Sequence, residues 1–189
     1  LRLYEMFMGP LEVSKPWSAT GVAGAKKFIN RVWNFFTEAE NITEADDGKL
    51  TKVYHQTVKK VTSDFETLGF NTAIAQMMVF VNEIYKNGTC PKTYAEGFIK
   101  MLSCITPHVG EEIWQILGHG STIAYESWPT YEEAKCKDSE INIAVQVNGK
   151  MRGTVMMEAD LDNDTVVQNV LANEKIAAFL AKQEGQIRK

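Results

Sequence analysis

The sequence is short of most of the devices that carry chemistry. It has three cysteines, Cys90, Cys104 and Cys136, widely spaced and without a CxxC pair. That excludes a disulfide framework and a zinc ribbon and fits reduced thiols in a cytoplasmic protein. The three histidines are equally scattered, and His108-Val-Gly-Glu111-Glu112 offers no evident third metal ligand. No G-x-S-x-G, P-loop or G-x-G-x-x-G motif occurs, and Gly118-His119-Gly120 reads as a helix cap and turn. No apolar run reaches the roughly 18 residues of a membrane span. Mean hydropathy is −0.22. No catalytic, cofactor-binding or metal-ligating residue is therefore assigned, and an independent enzyme is disfavoured.

Excess positive charge is also missing. The net charge over 189 residues is −4, which excludes a uniformly basic nucleic-acid coat. The distribution qualifies this. From Val13 to Thr37 stand Lys15, Lys26, Lys27 and Arg31 with no acid. From Gly48 to Ser63 stand Lys49, Lys52, Lys59 and Lys60, again with no acid. Such stripes can track a phosphate backbone; the alternative is a solvated helix face.

What is present is helical periodicity. After a short helical opening and a loop over residues 10–21, Val22, Ala25, Phe28, Ile29, Val32, Trp33 and Phe36 mark one face of a helix. Leu50, Val53, Tyr54, Thr57, Val58, Val61 and Phe65 mark a second, broken at Gly69. Asn71 suits the N-cap of a third helix, closed by Asn87-Gly88, and Pro91 suits the first turn of a fourth. Pro107 must break or kink that fourth segment, which extends to about residue 117. The fold class is mainly α, an antiparallel helix bundle.

The period then changes. Ile141, Ile143, Val145 and Val147 alternate with polar or small residues, and Asn148-Gly149 signals a hairpin. A loop over 148–150, with Val147 opposite Met151, Val145 opposite Gly153 and Ile143 opposite Val155, keeps one face apolar. A helix over 164–182, with Val167, Val170, Leu171, Phe179 and Leu180 inward, completes a small α+β unit. One hairpin and one helix make an incomplete domain, so a further strand is expected beyond Lys189. The opening at Leu1, without an initiator methionine or signal peptide, likewise suggests a piece of something longer.

Several blocks together carry a resemblance. They are Leu1–Glu12, Lys15-Pro16-Trp17-Ser18, Asn30-Arg31-Val32-Trp33, His55–Thr62, Phe70–Ala75, Thr106-Pro107-His108 with Glu111-Glu112-Ile113-Trp114, Ser127-Trp128-Pro129, and Val145–Gly153. In this order they resemble the C-terminal part of bacterial leucyl-tRNA synthetases, which are class I aminoacyl-tRNA synthetases. The bundle blocks alone also suit the valine, isoleucine and methionine enzymes.

The resemblance implies that residues 1–20 end a connector to an absent catalytic domain. It makes 21–134 an anticodon-binding helical bundle of the class I type, and 135–189 a truncated tRNA-binding C-terminal domain. The family's catalytic signatures, of His-Ile-Gly-His and Lys-Met-Ser-Lys-Ser type, do not occur here. The parent would activate leucine with ATP and Mg and charge tRNA-Leu, while this part, inactive alone and monomeric, would bind and orient the tRNA. Candidate tRNA-binding residues are Lys27, Arg31, Lys52, Lys59, Lys60, Gln146, Lys150 and Arg152. A helical protein-interaction scaffold is the reading from a different class, favoured by the net negative charge.

Overall fold

A computed structural model describes residues 1–137, 140–147, 150–158, 161–173 and 176–177. The chain divides into two compact units, Leu1–Cys136 and Lys137–Lys189.

The first unit opens with α1 (Arg2–Phe7), which buries Leu3 and Tyr4. A loop follows, held by Lys15 Nζ donating to the Gly9 carbonyl at 2.5 Å. α2 (Ala19–Phe36) begins three residues before the apolar pattern does. The reason is capping: Ser18 Oγ accepts from Gly21 N–H at 3.2 Å, and Ser18 N–H donates to the Tyr4 hydroxyl at 2.8 Å. Its buried face is Ala25, Phe28, Val32, Phe35 and Phe36. Trp33, placed inward by spacing, stands 38% exposed at the edge of that face; Phe35 takes its place.

Strand β1 (Ile42–Thr43) pairs in parallel with β2 (Cys90–Pro91), so the α2–α3 connection is tied down between helices. α3 (Thr51–Glu66) and α4 (Phe70–Asn87) pack along one another through a three-residue corner. Asn71 is not the cap of α4; it lies inside the first turn, and Gly69 holds the N-cap position. The buried Asp64 carboxylate makes that corner instead. It accepts from the Thr72 hydroxyl at 2.7 Å and pairs with Lys60, while Gly69 N–H donates to the Asp64 carbonyl at 2.6 Å. Gly88 closes α4 in the left-handed conformation, φ +82°.

α5 (Lys92–Ser103) follows Pro91, which occupies the N-cap rather than the first turn. Pro107 breaks the fourth segment outright and starts α6 (Pro107–Ile116) at its first position. The turn is tight. A Cβ on Gly110 would stand 2.5 Å from Ser103 Cβ and 2.9 Å from its Cα.

The core is an aromatic series joining four helices. Phe36 of α2 stacks on Phe98 of α5 at 5.4 Å, and Phe98 meets Phe80 of α4 at 5.2 Å. Phe80 meets Tyr54 of α3 at 6.0 Å, and Tyr54 stacks on Tyr94 of α5 at 4.2 Å. Tyr54 reaches α5 only because position 97 is glycine: a Cβ there would lie 2.0 Å from the Tyr54 hydroxyl oxygen.

In the second unit, β3 (Glu140–Val147) pairs antiparallel with β4 (Lys150–Glu158). Ile143 faces Val155 and Val145 faces Gly153, as the alternation requires. The tip differs. Val147 faces Lys150 and Gln146 faces Met151, with a register shift between Val145 and Gln146. Val145 pairs with Gly153 and Gln146 with Met151, so Arg152 is the extra residue of a bulge. Met151 is consequently 63% exposed instead of inward. α7 (Asn163–Ala172) is capped by Asp162, whose carboxylate accepts from the N–H groups of Asp164 and Thr165 at 3.0 Å. Val167, Val170 and Leu171 are half-buried on it. The helix expected over 164–182 stops at Ala172, because Asn173 turns to an extended conformation (φ −68°, ψ 119°). Asn148, Gly149, Phe179 and Leu180 lie outside the described residues.

Gly97→Ala is expected to force Tyr54 out of its rotamer and lower stability by about 1–3 kcal/mol. Gly24→Ala, on an open stretch of α2 with nothing within 4 Å of the added carbon, should raise stability by roughly 0.5–1 kcal/mol. Urea midpoints of the two variants moving in the same direction would contradict this account.

Candidate nucleic-acid interface

The two acid-free stretches fold into α2 and α3, and α4 packs against both. Their lysines meet different surroundings.

On α3 the lysines are largely occupied. The segment after α6 returns along this helix as a strap. Trp128 Nε1 donates to the Thr62 hydroxyl at 2.8 Å, and its ring lies 5.5 Å from that of Phe65. Glu132 N–H donates to His55 Nδ1 at 3.1 Å, and Gln56 Nε2 donates to the Cys136 carbonyl at 2.8 Å. Lys59 pairs with Glu133 at 2.5 Å, an acid 74 positions away in sequence, and this partner raises the lysine's pKa. Lys60 pairs with Asp64, Lys49 pairs with Asp47 at 2.8 Å, and Lys52 is half-buried. The Gly48–Ser63 stretch is thus acid-free, but Asp47 and Asp64 at its borders and Glu133 from the strap occupy its lysines.

On α2 the picture is reversed. Lys26 and Lys27 are exposed, and no hydrogen bond or ion pair holds either among the described residues. Arg31 is half-buried and oriented by α4. Its guanidinium lies 4.7 Å from the Tyr85 ring centroid, and Nη1 donates to Asn82 Oδ1 at 2.8 Å. The Tyr85 hydroxyl donates back to the Arg31 carbonyl at 2.9 Å. Asn30 and Asn34 are exposed on the same face, beside Trp33. Periodicity missed Trp33 because it had assigned that ring to the core. Asn30 and Asn34 left no charge signal to find.

In the second unit, Gln146 and Arg152 are exposed on the outer face of the hairpin, with Ala144, Met151, Thr154 and Met156. The Lys150 side chain lies outside the described residues. The candidate set therefore falls on three surfaces: α2, α3 and the hairpin.

Other polar groups serve the fold. His119 stacks on Trp114 at 3.6 Å and bonds Glu96 at 2.8 Å. The Glu111 carboxylate accepts from the Thr122 hydroxyl and, at 3.1 Å, from Ile123 N–H. No group of three or more metal-ligating side chains gathers among the described residues. Burial raises the Cys90 thiol to about 12, which keeps it protonated and unreactive.

Comparison with known proteins fixes what this architecture is. A family model described as "Anticodon-binding domain of tRNA ligase" matches residues 47–168. The chain belongs to that family. Among solved structures, it resembles the LeuRS of Agrobacterium radiobacter K84 in a ternary complex with tRNA and LeuAMS, with a TM-score of 0.73 and 24% identity. The match covers 98% of this chain and 27% of that one, so the chain spans about a quarter of its structural neighbour. The shared fold is the helical class expected from the sequence. No described helix is long and apolar enough to cross a membrane.

His55 gives a pH prediction. Its Nδ1 accepts a bond only when unprotonated. Burial foremost, then Lys135, lowers its pKa, against the opposing charges of Glu132 and Asp46. A histidine lowered on folding contributes stability in full above its unfolded value of about 6.5, lost as pH falls through the folded value. Melting temperature should fall between pH 7.5 and 5.5, and His55→Asn should flatten that dependence. Identical pH profiles for the two proteins would sink the assignment.

Proposed function

We propose that this chain is a tRNA-binding C-terminal portion of a leucine–tRNA ligase. The observation that carries the reading is the family membership of residues 47–168. Two further facts support it. The likeness to a tRNA-bound LeuRS runs over 98% of the chain, and the leucyl-type blocks occur in order from Leu1 to Gly153.

In this reading the parent enzyme, working in the cytoplasm, activates leucine with ATP and Mg and transfers it to tRNA-Leu. The chemistry belongs to a catalytic domain whose signature motifs this sequence does not contain. The bundle and the small second unit hold the tRNA. Holding matters because a misplaced acceptor end reacts slowly, so binding energy far from the reacting atoms is turned into orientation. A folded tRNA presents mainly phosphate and 2′-OH to such a surface, so charge and shape dominate over base reading.

The scaffold reading draws on the net negative charge and on the exposed Leu11, Val13 and Trp17 of the segment between α1 and α2. Gel retardation separates the two. The chain should retard tRNA-Leu in preference to another tRNA at low salt, and the affinity should fall steeply as salt rises. Equal retardation of unrelated tRNAs would remove the leucine assignment. Absence of any retardation would remove the tRNA reading and leave the scaffold.

A further inference from the structure

The geometry points to α2, not α3, as the helix of the bundle that carries the RNA backbone, through the face formed by Lys26, Lys27, Asn30, Trp33 and Asn34. This rests on the reading that the chain binds tRNA, and it goes beyond it by choosing the surface and by naming residues that charge alone did not select.

Three observations converge. The first is availability. Lys26 and Lys27 are exposed and unpaired among the described residues, whereas Lys49, Lys59 and Lys60 each already hold a carboxylate. A phosphate reaching α3 must displace Glu133 from Lys59 and approach the acidic strap, which costs like-charge repulsion; one reaching α2 displaces only water.

The second is composition of the face. Lys26, Asn30, Trp33 and Thr37 follow one another at three- and four-residue steps, with Lys27 and Asn34 alongside. α2 contains no acid anywhere along its length. The asparagine amides offer both donor and acceptor, which suits phosphate oxygens and 2′-hydroxyls together. Trp33, 38% exposed, provides an aromatic surface for a sugar or base beside the cations.

The third is preorganisation. Arg31 is fixed by the Tyr85 ring and by Asn82, and Tyr85 holds the α2 backbone in return. This ties the edge of the face to α4, so little ordering cost remains on binding.

The partner that fits is the sugar–phosphate backbone of a folded RNA. A test uses the full 189-residue chain, a leucine tRNA transcript, and a DNA hairpin of the same sequence. Lys26→Gln with Lys27→Gln should weaken tRNA binding about fivefold or more and lower the slope of affinity against salt by about 2. Lys59→Gln with Lys60→Gln should change affinity less than about twofold, since these lysines hold carboxylates and do not contact the RNA in this arrangement. Asn30→Ala with Asn34→Ala should leave the salt slope unchanged and narrow the preference for RNA over DNA. All six positions are exposed, but Lys60 also pairs with the buried Asp64, so Lys59→Gln alone is run beside the α3 pair and the melting temperature of every variant is measured.

An α3 pair as damaging as the α2 pair, or an α2 pair with unaltered affinity and slope, overturns the proposal while tRNA binding itself stands. A wild-type chain that fails to retard the tRNA at low salt overturns both. Unchanged RNA-over-DNA preference in the asparagine variant removes the amides from the face and with them its claim to recognise RNA.

Discussion

The bundle depends on one close approach. Tyr54 of α3 lies against the backbone of α5 at Gly97, in space that any side chain at 97 would fill. From that contact the rest is placed in sequence. The Tyr54 ring stacks on Tyr94, and the Tyr94 hydroxyl bonds the Asp46 carboxylate and lies 3.1 Å from the Thr51 hydroxyl, pinning the loop that feeds α3. One turn further along α5, Phe98 meets Phe36 and Phe80, which brings in α2 and α4. Burial raises both tyrosines to about 12, so neither ionises in ordinary conditions and the stack stays neutral. A bundle joined this way has interlocking rather than sliding helices, since aromatic rings at these separations have few alternative rotamers.

Helical spacing in the sequence was sufficient for α2, α3, α4 and a fourth segment that Pro107 divides into α5 and α6, because each buries a stripe and period alone reveals a stripe. It was insufficient at the edges. Trp33 and Phe35 both border the apolar sector of α2, and only the neighbouring helices decide which ring goes in. Gly97 gave no signal, since a glycine within a helical pattern reads as a weak point until the facing Tyr54 is known. At the α3–α4 corner the sequence offered Asn71 as a cap; the structure uses Asp64, seven residues upstream, because a buried carboxylate there also serves Thr72. In the hairpin, alternation set Ile143 against Val155 and Val145 against Gly153. The bulge at Arg152 was hidden because two loop lengths satisfy the apolar face equally once one extra residue is absorbed.

Charge was the least legible property, and the reason is locality. Counting acids along a window sees neighbours in sequence, whereas an ion pair needs only neighbours in space. Lys59 sits in a window without acids, yet Glu133 arrives from a strap 74 positions later. The same strap brings Glu132 to His55 and the Trp128 indole to Thr62, so the polar face of α3 is bordered by the strap and its acids. Surface pairs of this kind contribute little stability individually. Their consequence is electrostatic: they remove α3 from the set of cationic faces.

The acidic total then acquires a role. A chain with net charge −4 repels a polyanion over most approaches, and the repulsion is weakest where no acid stands. With α3 neutralised, α2 is the bundle helix whose lysines retain their full charge towards solvent. A bundle with a localised cationic face binds a polyanion less tightly than a uniformly basic one, but it admits fewer orientations. In the proposed role of orienting a tRNA, the loss of affinity is tolerable and the loss of wrong orientations is useful, because uniform binding accelerates nothing. The deficit of positive charge and the isolation of the α2 face are therefore two parts of one arrangement.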